Sequence, residues 1–275
     1  TEGPNLIIAG AGTGKTKVLT TRVAHIIDNN LAFPSQILCV TFTNKAAREM
    51  SERVQKLVSQ NMEKMPWMGT FHSIGAKIIR NHAEVIGLKQ SFTILDKDDQ
   101  LSLIKQIIKA ENLDQSQFSP KLIQSKIDHW KNKALNPNDI KSESLDNLVD
   151  EKSLSIYKIY QARLFEINCL DFGDLLLQCI NLFKVPDIHK RYSNNFKYIH
   201  VDEYQDTNAA QYKWLKLLGS HHQNVCCVGD DDQSIYSWRG AEVDNMLRFE
   251  KEFENAKVIR LKQNYRSTNN ILKSA

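Results

Sequence analysis

Between the apolar run Asn5–Ala9 (NLIIA) and a segment whose Val18, Leu19, Val23, Ile26 and Ile27 recur at helical spacing lies AGAGTGKT, Ala9 to Thr16. Such a loop works only where a buried strand ends and a helix begins. Its glycines let successive backbone N–H groups curl round a phosphate without Cβ clashes, and the helix N-terminus turns its partial positive charge on the anion. Gly10, Gly12 and Gly14 supply the curl. Ala11, Gly12, Thr13 and Gly14 then form the cradle, Lys15 reaches the β- and γ-phosphates, and Thr16 holds Mg²⁺. Ala9 stands where the strict pattern has glycine, at the strand end, where little depends on it. The competing reading is a glycine-rich turn without a ligand.

A phosphate loop needs an acidic element at the end of a neighbouring strand. The run Lys197 to Asp202 (KYIHVD) leads directly into Asp202-Glu203. One carboxylate can bind Mg²⁺, usually through water, and the next can orient and deprotonate an attacking water, so Asp202 is assigned to the metal and Glu203 to the base. The alternative is an acidic cap for a helix starting near Thr207. Lys15 and Asp202 are 187 positions apart, far more than one crossover connection needs. If both belong to one sheet, the residues between them leave it and return, and the domain is discontinuous.

The pattern of the remaining chain agrees. Short Val/Ile/Leu-rich runs recur at Ile37 to Thr41, Asn224 to Gly229 and Lys257 to Leu261, with a weaker one at Trp67 to Thr70, as buried parallel strands require. The middle has helical periodicity: Leu101, Ile104, Ile107 and Ile108, then Ile156, Ile159, Tyr160 and Leu164, with further helices expected over Lys121 to Trp130 and Phe172 to Phe183. The fold class expected is α/β, a RecA-like P-loop NTPase domain with a parallel sheet, interrupted by a mostly helical inserted domain. With 275 residues, 41% hydrophobic and 25% charged, the chain is long enough for one large or two modest cores, and no apolar run approaches a bilayer span. The five cysteines lack CxxC spacing, which argues against a disulfide framework or a zinc site; a reducing, cytoplasmic setting is expected. The net charge of +4 is too small to prove an anionic partner. No initiator Met opens the chain, and it stops inside an apparent helix, so a fragment of a longer protein is expected.

A third segment, Val228 to Ala241 (VGDDDQSIYSWRGA), puts Gln233 near Tyr236, Trp238 and Arg239. A neutral γ-phosphate sensor beside aromatics suits coupling to base stacking, which tolerates any sequence. On residue type alone, Tyr236, Trp238 and Phe42 suit a core equally well, and His72 suits a structural histidine. Asp230, Asp231 and Asp232 are read as orienting the loop. Asp171-Phe172-Gly173, which spells a kinase motif, is read as a chance match in a helix.

Taken in order, AGAGTGKT, TFTNKAAREM (Thr41 to Met50), GTFHS (Gly69 to Ser73), VDEYQDTN (Val201 to Asn208), VGDDDQSIYSWRGA and LKQNYRS (Leu261 to Ser267) resemble the motifs of superfamily 1A DNA helicases. The chain is similar to the N-terminal half of the UvrD/Rep/PcrA family, most of all to its UvrD branch. The resemblance runs through the middle, including LDFGDLLL. It implies an ATP-dependent 3′ to 5′ helicase of DNA repair with ATP and Mg²⁺ as cofactors. Residues 1–70 and 197–275 would form the RecA-like domain 1A, and 71–196 the helical domain 1B.

The resemblance also implies that Gln233 senses the γ-phosphate, Arg266 contacts it and Tyr265 stacks on adenine. Lys17 sits where the family usually has an arginine packed on the base, and Tyr204 replaces the more usual Phe. Thr41, Phe42, Asn44, His72, Tyr236 and Trp238 would line the single-stranded DNA track. The second RecA-like domain with its arginine finger, the 2B domain and the upstream adenine-reading glutamine would lie outside this chain. An arginine finger is worth about 10³ to 10⁵ in rate, so the piece alone is expected to bind nucleotide weakly, hydrolyse poorly and not unwind. DNA, single-stranded or at a duplex junction, is the partner expected, with repair or replication proteins possible and no membrane. A RecB/AddA-type helicase-nuclease subunit and a DNA-binding module with a vestigial nucleotide site stay open as alternatives.

Overall fold

A computed structural model describes residues 1–59, 65–141, 143, 145, 147–230, 249 and 251–266. The chain divides into two compact units, one of 1–74, 186–208 and 215–275, the other of 75–185 and 209–214.

The first unit is an α/β layer around a six-stranded sheet in the order β3-β2-β6-β7-β1-β8. Its strands are β1 (Asn5–Ala9), β2 (Ile37–Thr41), β3 (Met68–Thr70), β6 (Tyr198–Val201), β7 (Val225–Gly229) and β8 (Lys257–Leu261). Every pairing is parallel. All six runs read as strands from the sequence are strands, and the mixed α/β class holds. The register brings together segments remote in the chain: Val40 on β2 stands opposite Val201 on β6, and Val201 opposite Cys227 on β7. The C-terminal ends of β1, β2, β6 and β7 therefore share one edge, where ligands bind in open α/β sheets. β8 corrects the expectation of uniformly buried strands, for Ile259 is exposed. As a border strand, β8 has sheet on one side only.

Helix α1 (Lys15–Asp28) and helix α2 (Asn44–Leu57) bury Leu19, Val23, Ile26, Met50 and Val54 against Ile7, Cys39, Tyr198 and Val228 of the sheet. The Thr43 hydroxyl accepts the Ala46 N–H at 3.1 Å and starts α2. Helix α3 (Phe71–Asn81) begins on a reciprocal cap: Ser73 Oγ accepts the Thr70 N–H at 2.9 Å, and Thr70 Oγ1 accepts the Ser73 N–H at 3.1 Å. GTFHS is thus a strand-to-helix turn with its own local device.

The second unit holds α4 (Lys97–Ala110), α5 (Pro120–Asn132), α6 (Leu148–Glu166) and α7 (Asp174–Leu182), matching the four helices expected there. Asp96 caps α4 by accepting the N–H groups of Asp98 and Asp99, both at 2.9 Å. Ile104, Ile108, Ile123, Ile127, Tyr157, Tyr160 and Leu164 make its core. The sequence reading missed β4 (Thr93–Leu95) and β5 (Cys169–Asp171), which pair in parallel. Three residues each are too few to show a period. The Asp-Phe-Gly triplet is accordingly not helical: Asp171 ends β5, and α7 starts only at Asp174. The first unit also contains α8 (Pro186–Asn195), and α9 (Ala209–Leu218) begins two residues after the helix start expected near Thr207. No described helix is long and apolar enough to cross a membrane.

Candidate nucleotide site and its acidic partner

The turn between β1 and α1 takes the form its glycines permit. Gly12 and Gly14 have φ of 78° and 96°, in the left-handed region that a Cβ disfavours. Thr13 is turned inward, its hydroxyl donating to Gly10 O at 2.7 Å and its N–H to the same oxygen at 3.3 Å. Gly14 has no side chain with which to cap α1, so the first N–H groups of the helix face the loop. Thr16 is half-buried and Lys17 exposed.

The segment after β8 folds onto this turn. Tyr265 N–H donates to Gly12 O at 2.9 Å, and Asn264 Nδ2 donates to Ala11 O at 2.7 Å. A Cβ on Gly12 would come within 2.6 Å of Arg266 Cβ and 2.8 Å of Asn264 Oδ1, so this glycine is needed for close approach as well as for its φ. Arg266 and Tyr265 are thereby placed beside the loop, and the Tyr265 ring is 74% exposed, a free face. Asn264 was missed by the sequence reading; its signal was its place inside LKQNYRS.

Lys15 meets the second of the two carboxylates that follow β6. Lys15 Nζ lies 3.8 Å from Glu203 Oε2 and 3.1 Å from Asp230 Oδ2. Asp202 is buried at the end of β6, its N–H donating to Val40 O at 3.0 Å and its Oδ1 accepting the Glu203 N–H at 3.1 Å. Glu203 itself has φ of 53°, which projects its carboxylate out of the strand direction at some backbone cost. Asp230, read from the sequence as orienting its loop, is buried and among the described residues is the nearest anion to Lys15. Gln233, Tyr236 and Trp238, with Asp231, Asp232 and Arg239, lie outside the described residues.

Burial, and next the charge of Glu203, push the Asp202 carboxyl up to about 6. Asp206 is raised to about 6 for the same two reasons in the same order. A carboxyl raised on folding favours the folded state fully below its unfolded value near 3.8, and that contribution is lost as pH rises through 6. Near neutrality Asp202 therefore works against stability. In chelator at pH 8, Asp202→Asn is expected to raise the free energy of unfolding by on the order of 1–3 kcal/mol, a gain that vanishes below about pH 4. Urea titrations at the two pH values check this.

The remaining candidates flank the site. Thr41, at the end of β2, is only 2% exposed. Asn44 is exposed, and the Phe42 ring packs edge-on against Phe71 with centroids 5.7 Å apart. Burial lowers the His72 pKa to about 4, so its ring is neutral at physiological pH.

The donors present suit Mg²⁺. It takes oxygen ligands in octahedral geometry, keeps several waters, and is commonly held by one or two carboxylates together with substrate phosphates. The Thr16 hydroxyl and the buried Asp202 carboxylate are of that kind. Among the described residues no group of three or more His, Cys, Asp or Glu side chains forms a metal cluster, and such a site needs none.

A parallel sheet with a glycine turn after its first strand and two acids at the end of a second defines a RecA-like α/β domain. More narrowly, the chain belongs to the UvrD/REP helicase N-terminal domain family, which matches residues 1–254. It is 53% identical over 279 residues to DNA helicase II of Rickettsia typhi, covering all of this chain and 42% of that protein. It is 51% identical to a probable DNA helicase II homolog of Rickettsia felis, with the same coverage. To the ATP-dependent DNA helicase PcrA of Staphylococcus aureus it is 50% identical over 276 residues, all of this chain and 38% of that one. The chain spans about two fifths of the length of these relatives.

Proposed function

We propose that this chain is the nucleotide-binding and DNA-tracking portion of an ATP-dependent DNA helicase that moves 3′ to 5′ and serves DNA repair. The observation that carries the reading is the meeting of Lys15 with Glu203, 3.8 Å apart in space though remote in sequence. The relatives named as DNA helicase II and PcrA support it.

In this reading residues 1–70 and 197–275 form domain 1A and residues 71–196 the helical domain 1B. The backbone from Ala11 to Gly14 cradles the phosphates, and Lys15 exchanges its contact with Asp230 for the β- and γ-phosphates. Thr16 and Asp202 would hold Mg²⁺, which when bound would supply neutralisation of the phosphate charge. Glu203 accepts the proton of the attacking water. Gln233 senses the γ-phosphate, Arg266 contacts it, Tyr265 stacks on adenine, and Lys17 lies near the base. Thr41, Phe42, Asn44, His72, Tyr236 and Trp238 line the path of single-stranded DNA, where stacking without base readout suits a motor that must pass every base. The second RecA-like domain with its arginine finger and the 2B domain come from the rest of the polypeptide, and this piece alone binds weakly and does not unwind. The setting is cytoplasmic.

The full-length protein with ATP and Mg²⁺ is expected to displace the strand of a duplex carrying a 3′ single-stranded tail and to leave a 5′-tailed duplex intact. Unwinding of the 5′-tailed substrate alone would overturn the polarity. Absence of any DNA-stimulated hydrolysis would overturn the motor itself.

A further inference from the structure

Gln205 joins the turn after β6 to the end of β7 through its own amide. It is 1% exposed, in the one-turn helix after Glu203. Its Nε2 donates to Glu203 Oε2 at 2.8 Å, and its Oε1 accepts the Asp230 N–H at 3.0 Å. Only one orientation of the amide satisfies both, because a carboxylate needs a donor and a backbone N–H needs an acceptor. Asp230 is the first residue after β7, and its own carboxylate pairs with Lys15. A closed circuit results, running from Lys15 to Asp230, across the amide of Gln205 to Glu203, and back to Lys15.

Glu203 needs such a partner. With φ of 53°, its backbone conformation is one that residues bearing a Cβ rarely adopt, and its carboxylate projects from a turn, not from a strand or helix that would fix it. A carboxylate held by one oxygen to a buried amide keeps the other free to face water.

We propose that Gln205 is a positioning residue for Glu203, setting the direction of its carboxylate from the position of the backbone at Asp230. This rests on the reading of Glu203 as the base. Displacement of residue 230 moves Gln205 Oε1, and with it the carboxylate at the other end of the same rigid amide. Hydrolysis is thereby made to depend on the position of the backbone at Asp230, where the chain leaves β7. A neutral amide suits this role: a carboxylate at the position would repel Glu203, and an aliphatic side chain would leave the buried Asp230 N–H without an acceptor.

The test uses the full-length protein and DNA-stimulated ATP hydrolysis. Gln205→Met keeps length and bulk but loses both bonds; Gln205→Glu keeps the acceptor for Asp230 N–H and sets a like charge against Glu203. Misplacing a catalytic group by about 1 Å costs on the order of a hundredfold, so kcat is expected to fall about tenfold to a hundredfold in either variant. The dissociation constant of a fluorescent ATP analogue stays within about twofold, since the phosphate loop is untouched. The double variant Glu203→Gln/Gln205→Met falls no further than Glu203→Gln alone, because the two act as one unit. Should Gln205→Met fail to fold, Gln205→Glu carries the same comparison. A kcat near the parental value in a folded variant, a loss carried wholly by nucleotide affinity, or additive losses in the double variant would each overturn the role of Gln205. If Glu203→Gln itself retains parental turnover, it is the reading of Glu203 as base that fails.

Discussion

Replacement of Lys131 by alanine is expected to destabilise the helical unit by about 3–5 kcal/mol, the usual cost of removing one partner from a buried ion pair. Lys131 is 0% exposed, with its Nζ 2.7 Å from Asp171 Oδ2 and 2.8 Å from Asp174 Oδ1. Tyr160 donates to the same Asp171 oxygen at 2.9 Å, and Nζ lies 5.5 and 5.2 Å from the centroids of the Tyr157 and Tyr160 rings. The substitution leaves two buried carboxylates facing each other. Burial, then the charge of Asp171, already push Asp174 up to about 6 with the lysine in place. Without the lysine, one of the two acids takes up a proton on folding. A group so raised stabilises the folded state at low pH and ceases to as pH rises through its folded value, so the deficit of the variant is smaller at pH 5 than at pH 8. Hydrogen exchange of the α4 to α7 amides at the two pH values measures both effects. Protection equal to that of the parent at pH 8 would show that the pair does not hold this unit together.

This triad also shows where the sequence was legible and where it was not. Ile123, Ile127 and Lys131 lie four apart on α5, all fully buried, so the lysine stands at a core position of a helix that runs to Asn132, past the Trp130 expected as its end. One partner, Asp171, lay in a triplet read as a chance match, and the other, Asp174, directly follows it. A lysine on the apolar stripe and two acids in an apolar run were each visible, but the pairing depends on how α5, β5 and α7 pack, and no local pattern encodes that. Gly173 belongs to the same device, since a Cβ there would come within 2.9 Å of the Lys131 side chain.

The proposed nucleotide site was legible for the opposite reason. The order of strand, glycines, lysine and helix is local, and each residue type is required where it stands. The join between Lys15 and Glu203 followed from requiring both on one sheet. The contacts of Gln205, Asp230 and Asn264 escaped because they are single hydrogen bonds or ion pairs between strand ends, where composition and periodicity carry no information.

The account depends most on Lys15 serving a bound triphosphate. Its present partners, Asp230 and Glu203, are anions that a phosphate would replace. Removing one preorganised donor from developing charge costs about 10²- to 10³-fold in turnover. The deciding measurement is DNA-stimulated ATP hydrolysis by the full-length protein carrying Lys15→Ala, with single-stranded DNA binding followed in parallel by fluorescence anisotropy. A loss of turnover of that size with DNA affinity preserved is the result expected. Hydrolysis at the parental rate would contradict the assignment of this turn as the nucleotide site.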